Sequence, residues 1–114
     1  MKICITVKDK NINNPIEKNF GRTPYIALYD TDTKEVCFVE NTHCDASIGA
    51  GIRTARMVID NGAEILYTGV VGENARRVID SADIRIVAVT LKKSLCEILS
   101  ELDAENLDIS KSEI

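Results

Sequence analysis

The residues best suited to metal chemistry are two neighbours, His43 and Cys44, in a polar stretch that leads into Gly49 and Gly51. An imidazole and a thiolate are borderline-to-soft donors of the kind that iron, copper and zinc accept. Because His43 is the only histidine in the chain, a structural role is the competing interpretation. Side by side in a loop near glycines, the pair predicts a metal-ligating position.

The other three cysteines have the surroundings of structural residues. Cys4 lies within a short β-branched run, Cys96 beside an apolar helical stripe, and Cys37 between apolar neighbours. A free cysteine in such positions packs as a small hydrophobic residue. Since the four cysteines are far apart and form no C-x-x-C pair, the sequence predicts thiols rather than disulfides or a closed zinc site.

Anion binding is the second chemistry that the sequence offers. Arg22 supplies a permanent positive charge, and glycines at positions 49, 51, 69 and 72 let the backbone approach a ligand closely. These glycines precede or begin predicted helices, whose first N–H groups lack acceptors and carry partial positive charge. A bound anion is therefore expected there. For Arg22, a solvated surface charge is the competing interpretation, and for Gly69 and Gly72 it is a tight strand-to-helix turn.

Several functions are disfavoured. A formal net charge of -4 with interspersed charges offers no basic stripe to nucleic acid. Catalysis by Cys44 would need its neighbour His43 as the base, and adjacent side chains rarely converge. Asp9 follows the first predicted strand, yet Thr68 and Gly69 offer no second carboxylate for a magnesium-dependent nuclease. We therefore expect no enzymatic activity.

The length and apolar pattern predict one small domain. The chain has 114 residues, no apolar run near the roughly 20 that span a bilayer, and no signal-peptide core. We expect a cytoplasmic protein without membrane contact. Residues 1–102 are predicted to form the domain, and residues 103–114, which are mostly polar and acidic, a loosely held tail.

Residue periodicity predicts five strands and three helices. Short β-branched or alternating runs indicate strands, and apolar spacings of three and four indicate helices. Asn61-Gly62 is expected to end the first helix, and Ser94 with Glu97 to cap the last. The predicted strands cover residues 2–7, 25–29, 35–40, 64–68 and 85–89, and the helices begin near residues 48, 73 and 94.

The order of these elements predicts an α/β fold. A β-β-β-α-β-α-β-α chain can place three strands in an antiparallel meander and add two parallel strands through helical crossovers. The expected five-stranded mixed sheet has the order 3-2-1-4-5, which is ribonuclease-H-like topology. Strands 1, 3 and 4 then end at one edge, where residues 8–24, 41–51 and 69–74 should converge.

Three motifs in this order carry a family resemblance. They are Phe20-Gly21-Arg22-Thr23-Pro24-Tyr25, Gly49-Ala50-Gly51-Ile52 and Thr68-Gly69-Val70-Val71-Gly72-Glu73-Asn74-Ala75. The chain resembles the dinitrogenase iron–molybdenum cofactor biosynthesis family from residue 1 to about 102. Its members include NifX, NafY, the C-terminal domain of NifB and small stand-alone proteins.

The resemblance implies a carrier or chaperone for an anionic iron–sulfur or iron–molybdenum-type cluster, a labile cargo exchanged between donor and acceptor proteins. It implies that Phe20, Gly21 and Arg22 border the site, and that Gly49, Gly51, Gly69, Gly72 and Asn74 shape it. Where family members commonly carry a histidine before Phe-Gly-Arg, this chain has Asn19, a poor iron ligand. His43 and Cys44 are hypothesised to replace that ligand.

A second hypothesis uses the same edge differently. The domain would be a regulatory or partner-binding module that recognises a phosphate-bearing small molecule or a protein segment, with affinity that depends on Arg22 and the Gly69–Gly72 turn. The protein is expected to be a monomer or a weak homo-oligomer, and not to bind nucleic acid.

Overall fold

The computed structural model describes residues 1–46, 48–89 and 92–112, with side chains as far as Asp103. The strands are β1 (Lys2–Val7), β2 (Tyr25–Asp30), β3 (Val36–Glu40), β4 (Ile65–Thr68) and β5 (Arg85–Ala88). The helices are α1 (Ala50–Asp60), α2 (Glu73–Ser81) and α3 (Leu95–Ser112), and a single 3₁₀ turn spans Phe20–Arg22. Each predicted element is present, with bounds shifted by at most two residues except at the end of α3.

The five strands form one mixed sheet in the order β3-β2-β1-β4-β5, as the sequence predicts. Strand β1 pairs antiparallel with β2 and parallel with β4, and β4 pairs parallel with β5. Strand β3 pairs antiparallel with β2. The α/β fold and its strand order are therefore confirmed.

The central strand separates two apolar layers because its side chains alternate between the faces of the sheet. Cys4 joins the layer beneath α1 and α2, with Leu66, Val58 and Ile79. Ile3, Ile5 and Val7 belong to the opposite layer, which Leu95, Ile98 and Leu102 of α3 cover. Burial on both faces explains why β1 reads as a nearly continuous apolar run.

Helix α1 begins later than its apolar spacing suggests. The predicted stripe starts at Ile48, but this side chain is 82% exposed and precedes the helix. The buried face is instead formed by Ala50, Thr54, Ala55 and Val58. Gly62, with φ of +75°, follows the helix in the left-handed conformation expected of its terminating glycine.

Helix α3 has the predicted capping box. The Ser94 hydroxyl accepts the Glu97 N–H at 3.1 Å, while the Glu97 carboxylate lies within hydrogen-bonding distance of the Ser94 N–H. The helical backbone continues to Ser112, nine residues past the predicted domain boundary at Asp103. That residues 103–114 are loosely held stays a prediction, because the side chains beyond Asp103 lie outside the described part.

Residues 15–19, which precede the 3₁₀ turn, lie against the ends of β1 and β4, and we call this segment the wedge. The Glu17 N–H donates to the Thr6 carbonyl, and the Val70 N–H donates to the Lys18 carbonyl. Beneath the wedge, the buried hydroxyls of Thr6 and Thr68 lie 2.8 Å apart. The wedge carries the chain from the α3 side of the sheet to the α1 and α2 side.

None of the helices in the described ranges has the length and apolar character needed to cross a bilayer.

Candidate functional site

Three segments meet around one cavity of about 380 Å³ on the α1 and α2 side of the sheet. They are the 3₁₀ turn after the wedge, the start of α1 and the start of α2. We call this cavity the glycine cleft. Its lining residues are Gly21, Arg22, Gly49, Ala50, Gly51, Ile52, Gly72, Glu73, Asn74 and Ala75. The predicted convergence of the loops after strands 1, 3 and 4 is therefore confirmed.

Missing side chains allow the three segments to come this close. A Cβ atom on Gly21 would lie 3.1 Å from the Gly51 Cα atom, and one on Gly51 would lie 3.3 Å from the Ala75 Cβ atom. Contacts this short are rare for a real Cβ atom, so larger residues would push the segments apart. Gly21, Gly51 and Ala75 therefore pack directly against one another in the lining of the cleft.

Both helices open into the cleft through uncapped N-termini. The N-cap residues Gly49 and Gly72 have no side chain to accept a hydrogen bond. The first helical bonds are donated by Arg53 and Arg76. Consequently, within the described ranges, the N–H groups of residues 50–52 and 73–75 have no protein acceptor. Six donors and two positive helix ends thus surround the cleft, which suits an anion.

Arg22 adds a positive charge at the rim and anchors the neighbouring loop. Its Nη1 donates to the carbonyl oxygens of Cys44 at 3.0 Å and Ala46 at 2.9 Å. Carbonyl partners leave the guanidinium charge unneutralised. The arginine therefore supplies positive potential and holds the loop between β3 and α1 beside the cleft.

A buried asparagine fixes the other end of that loop. Asn41 is 2% exposed, and its Nδ2 donates to the Thr23 carbonyl at 2.9 Å and the Thr54 hydroxyl at 3.0 Å. Its Oδ1 accepts the His43 N–H at 3.0 Å. The bonds join the end of β3 to the 3₁₀ turn region and to α1, so the loop has a defined starting position.

The one carboxylate in the cleft lining has a partner. Glu73 accepts a hydrogen bond from Arg77 Nη2 at 2.8 Å, one helical turn further along α2. Both side chains are exposed, so the pair contributes little to stability. Its consequence is electrostatic, because Arg77 offsets the negative charge nearest the helix end.

Two of the residues expected at the site do not line the cleft and have close packing contacts. Phe20 is 1% exposed and lies in the apolar layer with Ile26 and Leu66. A Cβ atom on Gly69 would lie 2.5 Å from the Lys18 carbonyl oxygen, and Gly69 is not among the residues lining the cleft. The structure thus brings six of the expected residues together in the cleft lining: Gly21, Arg22, Gly49, Gly51, Gly72 and Asn74. Phe20 and Gly69 pack in neighbouring parts of the fold, outside that lining.

The two predicted metal ligands lie on the loop that Arg22 holds, but neither lines the glycine cleft. His43 borders a separate concavity of about 400 Å³ beside α1. Cys44 is partly exposed. Within the described ranges, no three histidine, cysteine, aspartate or glutamate side chains cluster as metal ligands would. Ligation by His43 and Cys44 stays a prediction.

Sequence reasoning missed that Ala50, Ile52, Glu73 and Ala75 also line the cleft. They stand in the first turns of α1 and α2, and they contribute backbone N–H groups rather than side-chain chemistry. The signal was available, because all four stand one or three residues after Gly49 or Gly72, which have no side chain to cap a helix.

Solved structures resemble this fold closely. The apo form of the orange protein from Desulfovibrio gigas superposes with a TM-score of 0.83 at 26% identity, covering 90% of this chain and 88% of that one. A putative NifB protein from Thermotoga, assigned to the DUF35 family, gives 0.77 at 25% identity, covering 90% and 87%. No curated protein sequence matches the chain.

The match to a protein family covers nearly the whole chain. Residues 1–105 match the family described as "Dinitrogenase iron-molybdenum cofactor". This range contains every strand, the whole glycine cleft and all three motifs on which the resemblance was based. The chain therefore belongs to the dinitrogenase iron–molybdenum cofactor family.

Proposed function

We propose that this protein is a carrier or chaperone that holds an anionic iron–sulfur or iron–molybdenum-type cluster in the glycine cleft. The observation that carries the proposal is a pair of uncapped helix N-termini at one cavity, where six N–H groups have no acceptor among the residues that the structure describes. Family membership supports a cluster-type cargo, and the cleft offers a means of holding a negative charge.

The proposed contacts suit a cargo that must leave again. Backbone N–H groups bond to the sulfur or oxygen atoms of an anionic cluster without breaking its internal bonds. His43 and Cys44 supply at most two direct ligands, and the described residues offer no third nearby. Most of the binding free energy would therefore be electrostatic and reversible, which permits transfer from a donor protein to an acceptor protein.

The remaining parts of the proposal concern activity and setting. Asp9, which follows β1, accepts hydrogen bonds from the Asn11 N–H and the Asn14 side chain at 2.8 Å each, so both carboxylate oxygens have partners. We propose a non-enzymatic, cytoplasmic protein with a ribonuclease-H-like sheet, acting as a monomer or weak homo-oligomer. The 3-2-1-4-5 strand order supports the fold assignment.

Filling one helix end with a built-in carboxylate tests the proposal. No atom lies within 4 Å of a Cβ atom on Gly72, and its φ of -63° and ψ of 155° suit any residue. In Gly72→Asp the side chain caps α2 and puts a negative charge where the cargo would bind. We expect cluster uptake under anaerobic conditions, followed by visible absorption and iron content, to fall at least about tenfold.

Gly72→Asn is the matched control, because it caps the same helix without the charge. Both variants should fold, and both should melt at or above the wild-type temperature. Uptake by Gly72→Asn should exceed that by Gly72→Asp. If the two variants and wild type take up equal amounts of cluster, the cleft is not the binding site. If a His43→Ala/Cys44→Ala variant keeps full uptake, direct ligation by these two residues is wrong, while binding in the glycine cleft is unaffected.

A further inference from the structure

A second cavity lies at the same edge of the sheet, on the α3 side. Its volume is about 360 Å³, and it is enclosed by the residue after β1, the wedge, the residue after β5 and the approach to α3. We call it the lysine cavity. Its lining residues are Lys8, Pro15, Ile16, Glu17, Lys18, Asn19, Val89, Lys92 and Lys93. Four lysines against one glutamate make it locally basic in a chain whose formal net charge is -4.

Three of these ammonium groups have no carboxylate partner. Lys93 donates to Glu101 at 2.6 Å, but no ion pair forms between Lys8, Lys18 or Lys92 and any other residue of the described part. The carboxylate of Glu17 accepts the Asn19 N–H at 3.1 Å. Three like charges around one hollow repel one another, and a bound anion relieves that repulsion.

The lysines reach the cavity from separate parts of the chain, and backbone bonds hold those parts together. The Ile16 N–H donates to the Lys93 carbonyl at 2.9 Å, which ties the wedge to the approach to α3. Ile16 and Val89 also pack in the α3-side apolar layer. The convergence is therefore built by the fold rather than by flexible side chains alone.

We propose that the lysine cavity is a binding site for a small phosphate-bearing anion, separate from the glycine cleft. Lysine is a frequent phosphate ligand, because its ammonium group is a compact charge with three donors. A concave volume of this size matches the small-molecule sites of proteins, whereas an acidic protein segment would need an extended basic surface. The apolar side chains of Pro15, Ile16 and Val89 give the walls a non-polar part.

The two cavities lie on opposite sides of one continuous stretch. Lys18 and Asn19 line the lysine cavity, and Gly21 and Arg22 line the glycine cleft. Phe20 between them is buried, and its N–H donates to the Val70 carbonyl at 3.0 Å. The two linings share no residue, and the buried Phe20 lies between them in the chain, so the two cavities are distinct.

Calorimetric titration of the full chain with inorganic pyrophosphate tests the proposal. We expect saturable binding that weakens with added sodium chloride. Lys18→Gln/Lys92→Gln should weaken it at least about tenfold, since each charged hydrogen bond lost costs a factor of that order. Lys2→Gln/Lys34→Gln is the matched control, because it removes two charges near the other end of the sheet and should leave the affinity unchanged.

Two further titrations identify the ligand and the site. Titration with ADP distinguishes a nucleotide site, where ADP binds more tightly than pyrophosphate, from a site for the phosphate groups alone. The Gly72→Asp variant should bind pyrophosphate like wild type. The proposal is overturned if Gly72→Asp abolishes binding, if both lysine double variants lose equal affinity, or if polyglutamate binds while pyrophosphate and ADP do not.

Discussion

At the scale of single residues, two glycines in the same motif have opposite roles. Gly69 permits a backbone crossing, since a Cβ atom there would lie 2.5 Å from the Lys18 carbonyl oxygen. Gly72, three residues later, has open space around it and leaves a helix end uncapped. The first allows two backbone segments to pack closely, and the second leaves open space at the helix end.

We predict that Gly69→Ala destabilises the protein by about 1–3 kcal/mol, because the clash is with backbone that cannot rotate away. The matched variant Gly72→Ala should lie within about 0.5 kcal/mol of wild type, since its backbone angles suit alanine. Urea unfolding followed by circular dichroism measures both. Equal stability of the two variants would show that the wedge can move away from β4 without cost.

At the scale of elements, a partly buried polar contact attaches helix α3 to the sheet in addition to its apolar face. The hydroxyl of Tyr29 on β2 donates to Asp103 Oδ1 at 2.8 Å, and Tyr29 is 2% exposed. Burial, followed by the hydrogen bond and the negative charge of Asp103, raises the pKa of Tyr29 to about 12. The neutral phenol is therefore favoured in the folded state.

This contact predicts a stability loss at alkaline pH. A tyrosine whose pKa is raised on folding contributes its full stabilisation below the unfolded value of about 10 and loses it as pH rises through about 12. Melting temperature should therefore fall across this window in wild type. In Tyr29→Phe the fall should be smaller, from a lower starting stability. Parallel curves for the two proteins would mean that another group, such as the buried Cys4 thiol, controls the alkaline transition.

At the scale of the whole molecule, the central strand is the most protected part of the fold. Cys4 has no exposed surface, and burial raises the pKa of its thiol far above the ordinary range. Cys37, on the edge strand β3, is exposed. Because the thiolate is the reactive form, Cys4 can react only when the molecule opens.

We predict that iodoacetamide modifies Cys37 in the native protein, and modifies Cys4 more slowly by a factor on the order of a thousand or more. That factor reflects the small fraction of molecules unfolded at equilibrium. Mass spectrometry of peptides after timed labelling measures both rates, and labelling in concentrated urea is the control in which they should converge. If Cys4 and Cys37 were labelled at comparable rates without urea, β1 would open by local fluctuation rather than by unfolding of the whole molecule.

The fold was predictable because its signals are local. The run Lys2–Val7, the glycine after α1 and the capping pair Ser94 and Glu97 each specify an element within a few residues. The start of α1 was less predictable, since Ile48 continues the apolar spacing without reaching the core. Spacing shows which residues share a face, but not whether a neighbouring layer extends far enough to cover them.

The candidate site was predictable in part. Its glycines and Arg22 follow strands that end at one edge, so strand order alone brings them together. The placement of His43 beside α1 depends on the bonds of Asn41 and Arg22 to distant partners, which no local pattern encodes.

The sequence by itself determined the elements, their order in the sheet, the family and the edge at which three loops converge, because periodicity, capping and topology follow from short-range patterns. Only the tertiary structure decided that Gly69 is a packing residue while Gly72 opens a cleft, and that lysines from three segments surround a second cavity. Those outcomes depend on distances between residues far apart in the chain, and the packing of the wedge between β1 and β4 sets those distances.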